Sequence, residues 1–575
     1  MEKPRKSLYK DLALLSLVLG ILFFATNGVR PLANPDEGRY AEIPREMLES
    51  GNWVSPRLNG VLYFDKPPLF YWLQAVAMKI GGLNERAARF WPAAFALAGC
   101  GGIYLAGREL FGRRVGLSAA AILSTSLMFF VNSQLVIIDM AVSVFISFAL
   151  LSFLVAMGET AGSRRKNLFL AFYVFLALAV LTKGLIGLVI PGGIIFLWVL
   201  VMNRWKHLFP CHAGIGVPLF LLVALPWHIL VWKEHPEFAW YYFVHEHFLR
   251  FLTNGHGREQ PFWFFFVFLS VGLVPWIGFL PGALKRVYSL GWKKRAHQQE
   301  SFFFLIWIAF VVLFFSASSS KLLPYILPAF PPLALFLAKY IDSVASDSKP
   351  GNLVIGMHIT GLLTLVIGAA LPTAIYVLER DLSPLAVRLI YVSSIWLGIG
   401  GISTIVLFAR YTSRTVILVP FATWYCFLLL MNPLSAEVNV KSSRAVASKL
   451  QTMGVGATQV YTLAAYHQDL PFYLRSQIFV VGDWPRDMDF GLKIEDHSDR
   501  FLGEEEFVKR WVGENQIFAV ARNKHLNRIS RTFPGLEGYL IHRGNSYFLI
   551  SNLPSRQGLS KKLPISVLIA PHRSE

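Results

Sequence analysis

The chain has 575 residues, of which 54% are hydrophobic and only 15% charged, against about a quarter charged in ordinary globular domains. Apolar runs of spanning length recur along it, which excludes a soluble globular enzyme and leaves a polytopic α-helical membrane protein. The net charge of +19 does not point to nucleic acid, because most basic residues fall in short segments between apolar runs, where positive charge orients membrane helices.

The first 28 residues, MEKPRKSLYKDLALLSLVLGILFFATNG, place basic groups before an apolar stretch of spanning length with no small-x-small cleavage site. This predicts an uncleaved first helix. Spans are predicted near 11–29, 86–107, 115–131, 135–157, 167–182, 185–202, 213–232, 262–282, 301–317, 322–340, 352–378, 386–408 and 415–431. That makes about 13 transmembrane helices. The run 68–82, PLFYWLQAVAMKIGG, is short and opens on prolines, and is predicted to lie in the interface.

With the N-terminus cytoplasmic, the alternate loops RELFGRR, SRRK, NRWKH and KRVYSLGWKKR, a weaker segment with Lys339 and Lys349, and RYTSR are each basic, as orientation by positive charge demands. An odd span count then puts the C-terminal segment outside. There, short β-like runs (QVYTLAAY, QIFVVGD, QIFAVAR, SYFLISN) alternate with helix-compatible stretches such as GEEEFVKRWVGE. The expected organisation is a membrane domain over 1–431, with external loops at 30–85 and 233–261, and a small external α/β domain over 432–575.

This topology gathers unusual polar residues on one face. The first external loop carries NPDEGRYAEIPREMLESGNW, with five carboxylates, and then YFDKPP with Asp65 and Lys66. Asp139 sits at the outer end of the fourth span and Lys183 in the turn LTKG, while Lys321 and Tyr325 open the tenth span. Ionisable groups at a membrane boundary are costly and read as functional. Lysines and arginines there suit an anionic phosphate headgroup, and a facing carboxylate can take a proton or hold a cationic sugar substituent. The residues alone therefore predict an external-face enzyme or a transporter handling lipid-linked phosphate. Clustering on one face disfavours transport, which needs polar groups along a path through the membrane.

The ordered set DEGRYAEIPREML, YFDKPPLFYW, LTKG, PWHILVWKEHPEFAWYYFVHEHFLRF, PFWFFFVFLSVGLVPWIGFLPGAL, FFSASSSKLLPYILPAFPPLA and AYHQDLPFYLRSQIFVVGD resembles the lipid A aminoarabinose transferase family. That family is related to protein O-mannosyltransferases within the integral-membrane glycosyltransferases of GT-C fold. The resemblance implies a 13-helix membrane domain, two interfacial helices in the first external loop and a periplasmic C-terminal domain, all in the bacterial inner membrane. It implies inverting transfer of 4-amino-4-deoxy-L-arabinose from undecaprenyl phosphate to a lipid A phosphate, a modification that weakens binding of cationic antimicrobial peptides.

By position it makes Asp36, Glu37 and Asp139 the candidate catalytic acids. Lys66, Lys321 and Tyr325 become candidates for the donor phosphate in the same way, and Lys183 and Arg258, cations on the same face, are expected to join them in stabilising the departing phosphate. Alternatives are a relative transferring a hexose, a uronic acid or a hexosamine to lipid A or core, and a protein O-glycosyltransferase, whose Ser or Thr acceptor would make Asp36 a true base. No cofactor is required. The cluster HEH at 245–247 nevertheless offers raw material for a divalent metal, with Asp65 and His247 as the pair from different segments that could hold zinc. The three cysteines (Cys100, Cys211, Cys426) lack metal-type spacing.

Overall fold

A computed structural model describes residues 2–249, 259–345, 351–377, 382–410, 417–438, 441–544, 546–554 and 562–564. The chain divides into two compact units: residues 1–29, 66–70 and 89–438 form the first, and 30–65, 71–88 and 439–575 the second.

The first unit is helical. Among the described residues ten helices are long and apolar enough to cross a membrane, or twelve if each of two bent pairs counts as one span. One bent pair is Arg113–Thr125 with Leu127–Ser133, turned by 67°; the other is Phe264–Gly272 with Trp276–Ser289, turned by 105°. Ile186–Met202, at 17 residues, falls just short of the spanning test. Each run expected from the sequence coincides with one of these helices or pairs.

Close approach between helices depends on small residues, as membrane helices require in the absence of a hydrophobic drive between them. Gly361 and Gly401 show it: a Cβ on Gly401 would meet the Gly361 carbonyl oxygen at 2.8 Å, and one on Gly361 would meet that of Gly401 at 3.0 Å. Near the chain start, Asp11 collects Arg113, Arg108 and the Tyr104 hydroxyl. A carboxylate on a membrane helix thus has its charge matched and its lone pairs filled.

The second unit is α/β. Its main sheet has seven strands in the order β5-β4-β3-β6-β8-β7-β9: β3 is Val460–Leu463, β4 Phe479–Val481, β5 Phe501–Leu502, β6 Phe518–Arg522, β7 Glu537–Arg543, β8 Tyr547–Ser551 and β9 Leu563–Pro564. The first four of these pair in parallel, and β6–β8, β8–β7 and β7–β9 pair antiparallel. Fully buried β-branched and aromatic runs such as VYTL and FAVA form the central strands, as expected where both faces are covered. Phe507 and Trp511, on one face of helix Glu504–Val512, pack with Tyr461, Ala519 and Phe548 in the core.

Residues of the first loop belong to the same unit. Helix Asp36–Ser50 is buried from Glu37 to Met47 and ends on Gly51, whose φ of 68° is the left-handed turn that closes a helix. The hairpin β1 (Arg57–Leu58) and β2 (Val61–Leu62) follows. Glu46 accepts from the Gly60 amide at 2.9 Å and from the Asn59 amide, and Asn59 exchanges two hydrogen bonds with the Ile478 backbone. Arg57 forms a bidentate pair with Glu495 at 2.6 and 2.8 Å. Leu69–Gly81, the run read as interfacial, is a helix of 13 residues. At 1.5 Å per residue that is about 20 Å, too short for a hydrocarbon core of about 30 Å.

Candidate functional site

Within the second unit Asp36 opens its helix and its side chain is half exposed. One oxygen accepts a hydrogen bond of 2.6 Å from Arg39, a turn further on. Arg39 is itself buried, and its second nitrogen donates to the Tyr63 hydroxyl at 3.0 Å and to Asp487. The Tyr63 hydroxyl donates to Asp487 at 2.8 Å and stands 3.5 Å from Asp65, which is buried.

One guanidinium and one phenol thus hold three carboxylates in register, with Asp36 the one presented outward. Burial works against the Arg39 charge, but Tyr63, Asp487, Tyr40 and Asp36 outweigh it and hold its proton well above the ordinary range. Burial likewise pushes the Tyr63 hydroxyl far up, so it stays a donor.

Glu37 is placed differently from its neighbour. Its oxygens take the Arg30 guanidinium at 2.9 and 3.0 Å and the Ala33 amide at 2.9 Å, and it is 2% exposed. This geometry closes the loop ahead of Asp36. Glu42 and Arg45 form another buried pair, at 2.6 and 2.7 Å; burial lifts the Glu42 carboxyl to about 8 against the pull of Arg45.

Within the first unit Lys183, the last residue of helix Ser163–Lys183, pairs with Asp139, the first residue of helix Asp139–Gly158. Its ammonium lies 4.6 Å from the centroid of the Tyr325 ring. Residues 139, 183 and 325 therefore meet at one point although 186 positions separate the first from the last. Lys321 is 7% exposed, and its ammonium donates to the Ser318 carbonyl at 2.6 Å. An ammonium has three protons, so a partner on one side leaves the others for a ligand. Lys66 is half-buried. Arg258 lies outside the described residues.

Of the metal pair read from the sequence, Asp65 has the surroundings given above, and the side chain of His247 lies outside the described residues. Among the described residues no group of three His, Cys, Asp or Glu stands ready to hold a metal ion. His245 stacks on Tyr241 and pairs with Glu246 at 3.2 Å.

Sequence reasoning missed Asp487. Nothing around WPRDMDFG marks it, because its partner Arg39 is 448 positions away. Tyr63 was hidden in the same way inside YFDKPP, where the lysine drew attention.

Comparison with known proteins gives these clusters a context. Residues 11–242 match the family of dolichyl-phosphate-mannose-protein mannosyltransferases, and residues 446–552 match the aminoarabinose transferase C-terminal domain. The fold superimposes on the crystal structure of ArnT from Cupriavidus metallidurans bound to undecaprenyl phosphate with a TM-score of 0.79 and 26% identity, covering 94% of this chain and 98% of that one. The chain is therefore similar to the aminoarabinose transferases, in fold over nearly its whole length and in sequence over its C-terminal domain.

Among the family's curated proteins, the undecaprenyl phosphate-α-4-amino-4-deoxy-L-arabinose arabinosyl transferase of Edwardsiella ictaluri is 35% identical over 59% of this chain. The chain spans 60% of that relative's length. The transferase of the same name from Aeromonas hydrophila is 29% identical over 83% of this chain and 87% of its own. The archaeal oligosaccharyltransferase AglB of Archaeoglobus fulgidus shares the fold at a TM-score of 0.53 and 13% identity. Aminoarabinose transferases and this chain thus share the GT-C membrane fold with a C-terminal α/β domain, and the chain is a multi-pass membrane protein.

Proposed function

We propose that the protein is a glycosyltransferase that moves 4-amino-4-deoxy-L-arabinose from undecaprenyl phosphate to a phosphate of lipid A. The observation that carries this reading is the likeness, over nearly the whole of both chains, to ArnT bound to undecaprenyl phosphate. The reaction is placed at the periplasmic face of the inner membrane, with the N-terminus cytoplasmic and the C-terminal unit periplasmic; the basic loops on the opposite face support that orientation.

In this mechanism an oxygen of the acceptor phosphate attacks C1 of the sugar as the bond from C1 to the polyprenyl phosphate oxygen breaks, with inversion. The departing phosphate gains negative charge. Lys66, Lys183, Lys321 and Arg258 are assigned to stabilise it, Lys183 being pre-aimed by Asp139 and the Tyr325 ring. The acceptor phosphate is already ionised near neutral pH and needs no strong base. Asp36, anchored by Arg39, is therefore assigned to orient the acceptor or the amino sugar rather than to remove a proton. No metal enters the mechanism.

Mass spectrometry of lipid A from cells with and without the protein tests the reading: a gain of one pentosamine is expected. A hexose, uronic acid or hexosamine gain would replace the sugar and keep the machinery. The match of residues 11–242 to protein mannosyltransferases favours a second reading, transfer to Ser or Thr of a protein. Unchanged lipid A together with glycosylated periplasmic protein would establish it.

A further inference from the structure

The parallel part of the sheet grows from β3 outward through β4 to β5, then returns to the other side of β3 with β6. The connections after β3 and β6 therefore leave in opposite directions. In open α/β sheets ligands bind at such a switch point, outside the carboxyl ends of the strands. Two loops flank it here. Residues 464–469, AAYHQD, follow β3, and β6 ends on Arg522 and runs into Asn523, Lys524 and His525.

The side chains there have an unusual set of unmet demands. The His467 ring meets Tyr547 edge-on at 5.0 Å, and the Arg522 guanidinium lies over the same ring at 5.7 Å. His467 is 2% exposed. His467 Nε2, Arg522 Nε and His525 Nδ1 are all buried without a hydrogen-bond partner. A buried polar group left dry destabilises the fold, so three in one corner call for a ligand. Among the described residues no carboxylate pairs with Arg522 or Lys524, and Asp483, whose charge acts on His525, is paired with Arg528. Burial and then mutual repulsion hold the group's protons loosely: His467 is pushed down to about 3, and Lys524 and His525 are lowered too. An anion would relieve all of these at once.

We propose that this corner of the second unit binds a phosphate group, with Arg522 and Lys524 supplying charge and His467 and His525 supplying hydrogen bonds. The group is either a free phosphate ion or the phosphate of a lipid headgroup, whose chemistry is shared. The proposal is independent of the transfer reaction, since none of these residues belongs to the clusters assigned to it.

The test uses the full chain in nanodiscs of net-neutral lipid, followed by hydrogen–deuterium exchange of the peptides covering 464–469 and 522–525. One arm adds inorganic phosphate; the other adds a phosphorylated glycolipid to the nanodisc. Slowing of exchange in these peptides by at least about threefold is expected in one arm or both. Slowing with inorganic phosphate identifies the free ion as sufficient, and slowing with glycolipid alone identifies a headgroup. The effect should vanish in Arg522→Gln/Lys524→Gln, weaken in the surface variant Lys524→Gln, and persist in Lys509→Gln. No slowing in either arm, or equal slowing in the double variant and the parent, would overturn the proposal.

Discussion

The polar cluster of the membrane unit and that of the α/β unit solve opposite problems. In the first, cations lead: Lys183 meets an acid and an aromatic ring, and Lys321 donates to a backbone carbonyl. In the second, acids lead: Asp36, Asp487 and Asp65 surround one guanidinium and one phenol. A site with surplus ammonium groups at a low-dielectric boundary suits a dianionic leaving group. A carboxylate-rich site with its charge partly neutralised suits orientation of a neutral or amine-bearing sugar. The difference teaches that each cluster suits a different part of the proposed reaction, so removing a residue should fail in a manner characteristic of its own cluster.

The largest effects test that division directly. Asp36→Asn and Lys66→Ala are each expected to lower transfer by about a thousandfold, measured as pentosamine-modified lipid A with membrane expression unchanged. Full activity in either would remove it from the site.

Lys183→Met should cost about a hundredfold, and Asp139→Asn nearly as much, because each leaves the other charge unpaired and misplaced. The double variant should be little worse than either single one, which a mutant cycle would show as strong coupling. Additive losses would mean the two residues act separately.

Asp487→Asn is expected to cost only about tenfold, since Tyr63 and Asp36 still hold Arg39 and positioning alone is loosened. Glu37→Gln sharpens the contrast within one helix turn. It should lower stability by about 3 kcal/mol through the broken buried pair with Arg30, seen as a reduced melting temperature, while the folded fraction keeps its turnover within about threefold. A thousandfold loss there would return Glu37 to the catalytic residues.

The last contrast is a pH dependence of stability, which leaves the chemistry untouched. Asp469 is buried, and burial lifts its carboxyl to about 6 despite hydrogen bonds from Ser443, Asn34 and Ser442. The folded state therefore holds this proton more tightly than the unfolded one. The resulting stabilisation is complete below about pH 4 and is lost as pH rises through 6, by about 3 kcal/mol at most. The melting temperature of the parent should fall relative to that of Asp469→Asn between those limits. Parallel profiles would show that Asp469 ionises normally.

The spans were legible because a bilayer imposes length and apolarity on each helix in isolation. The break at Thr125–Leu127 was not, since Ser126 is compatible with either a continuous or a bent helix and packing decides. Sequence topology placed Asp139, Lys183 and Tyr325 on one face, but their meeting at one point depends on helix packing that no local pattern encodes. Asp36 stood out as a charge beside a span. Asp487 and Tyr63 did not, because an acid in a polar loop and a tyrosine in an apolar run look ordinary until the chain brings Arg39 between them.

Asn34 donates to Asp469 and to the Tyr547 hydroxyl, and its own oxygen accepts the Asp469 amide at 3.0 Å. Together with Arg57–Glu495 and Asn59–Ile478, this fastens the segment bearing Asp36 to a part of the chain encoded more than 400 residues later. For recombination between homologous genes, or for a designed chimera, the two segments are therefore one heritable piece. A crossover that exchanges 439–575 without 30–65 would join halves of a module that had never been selected together.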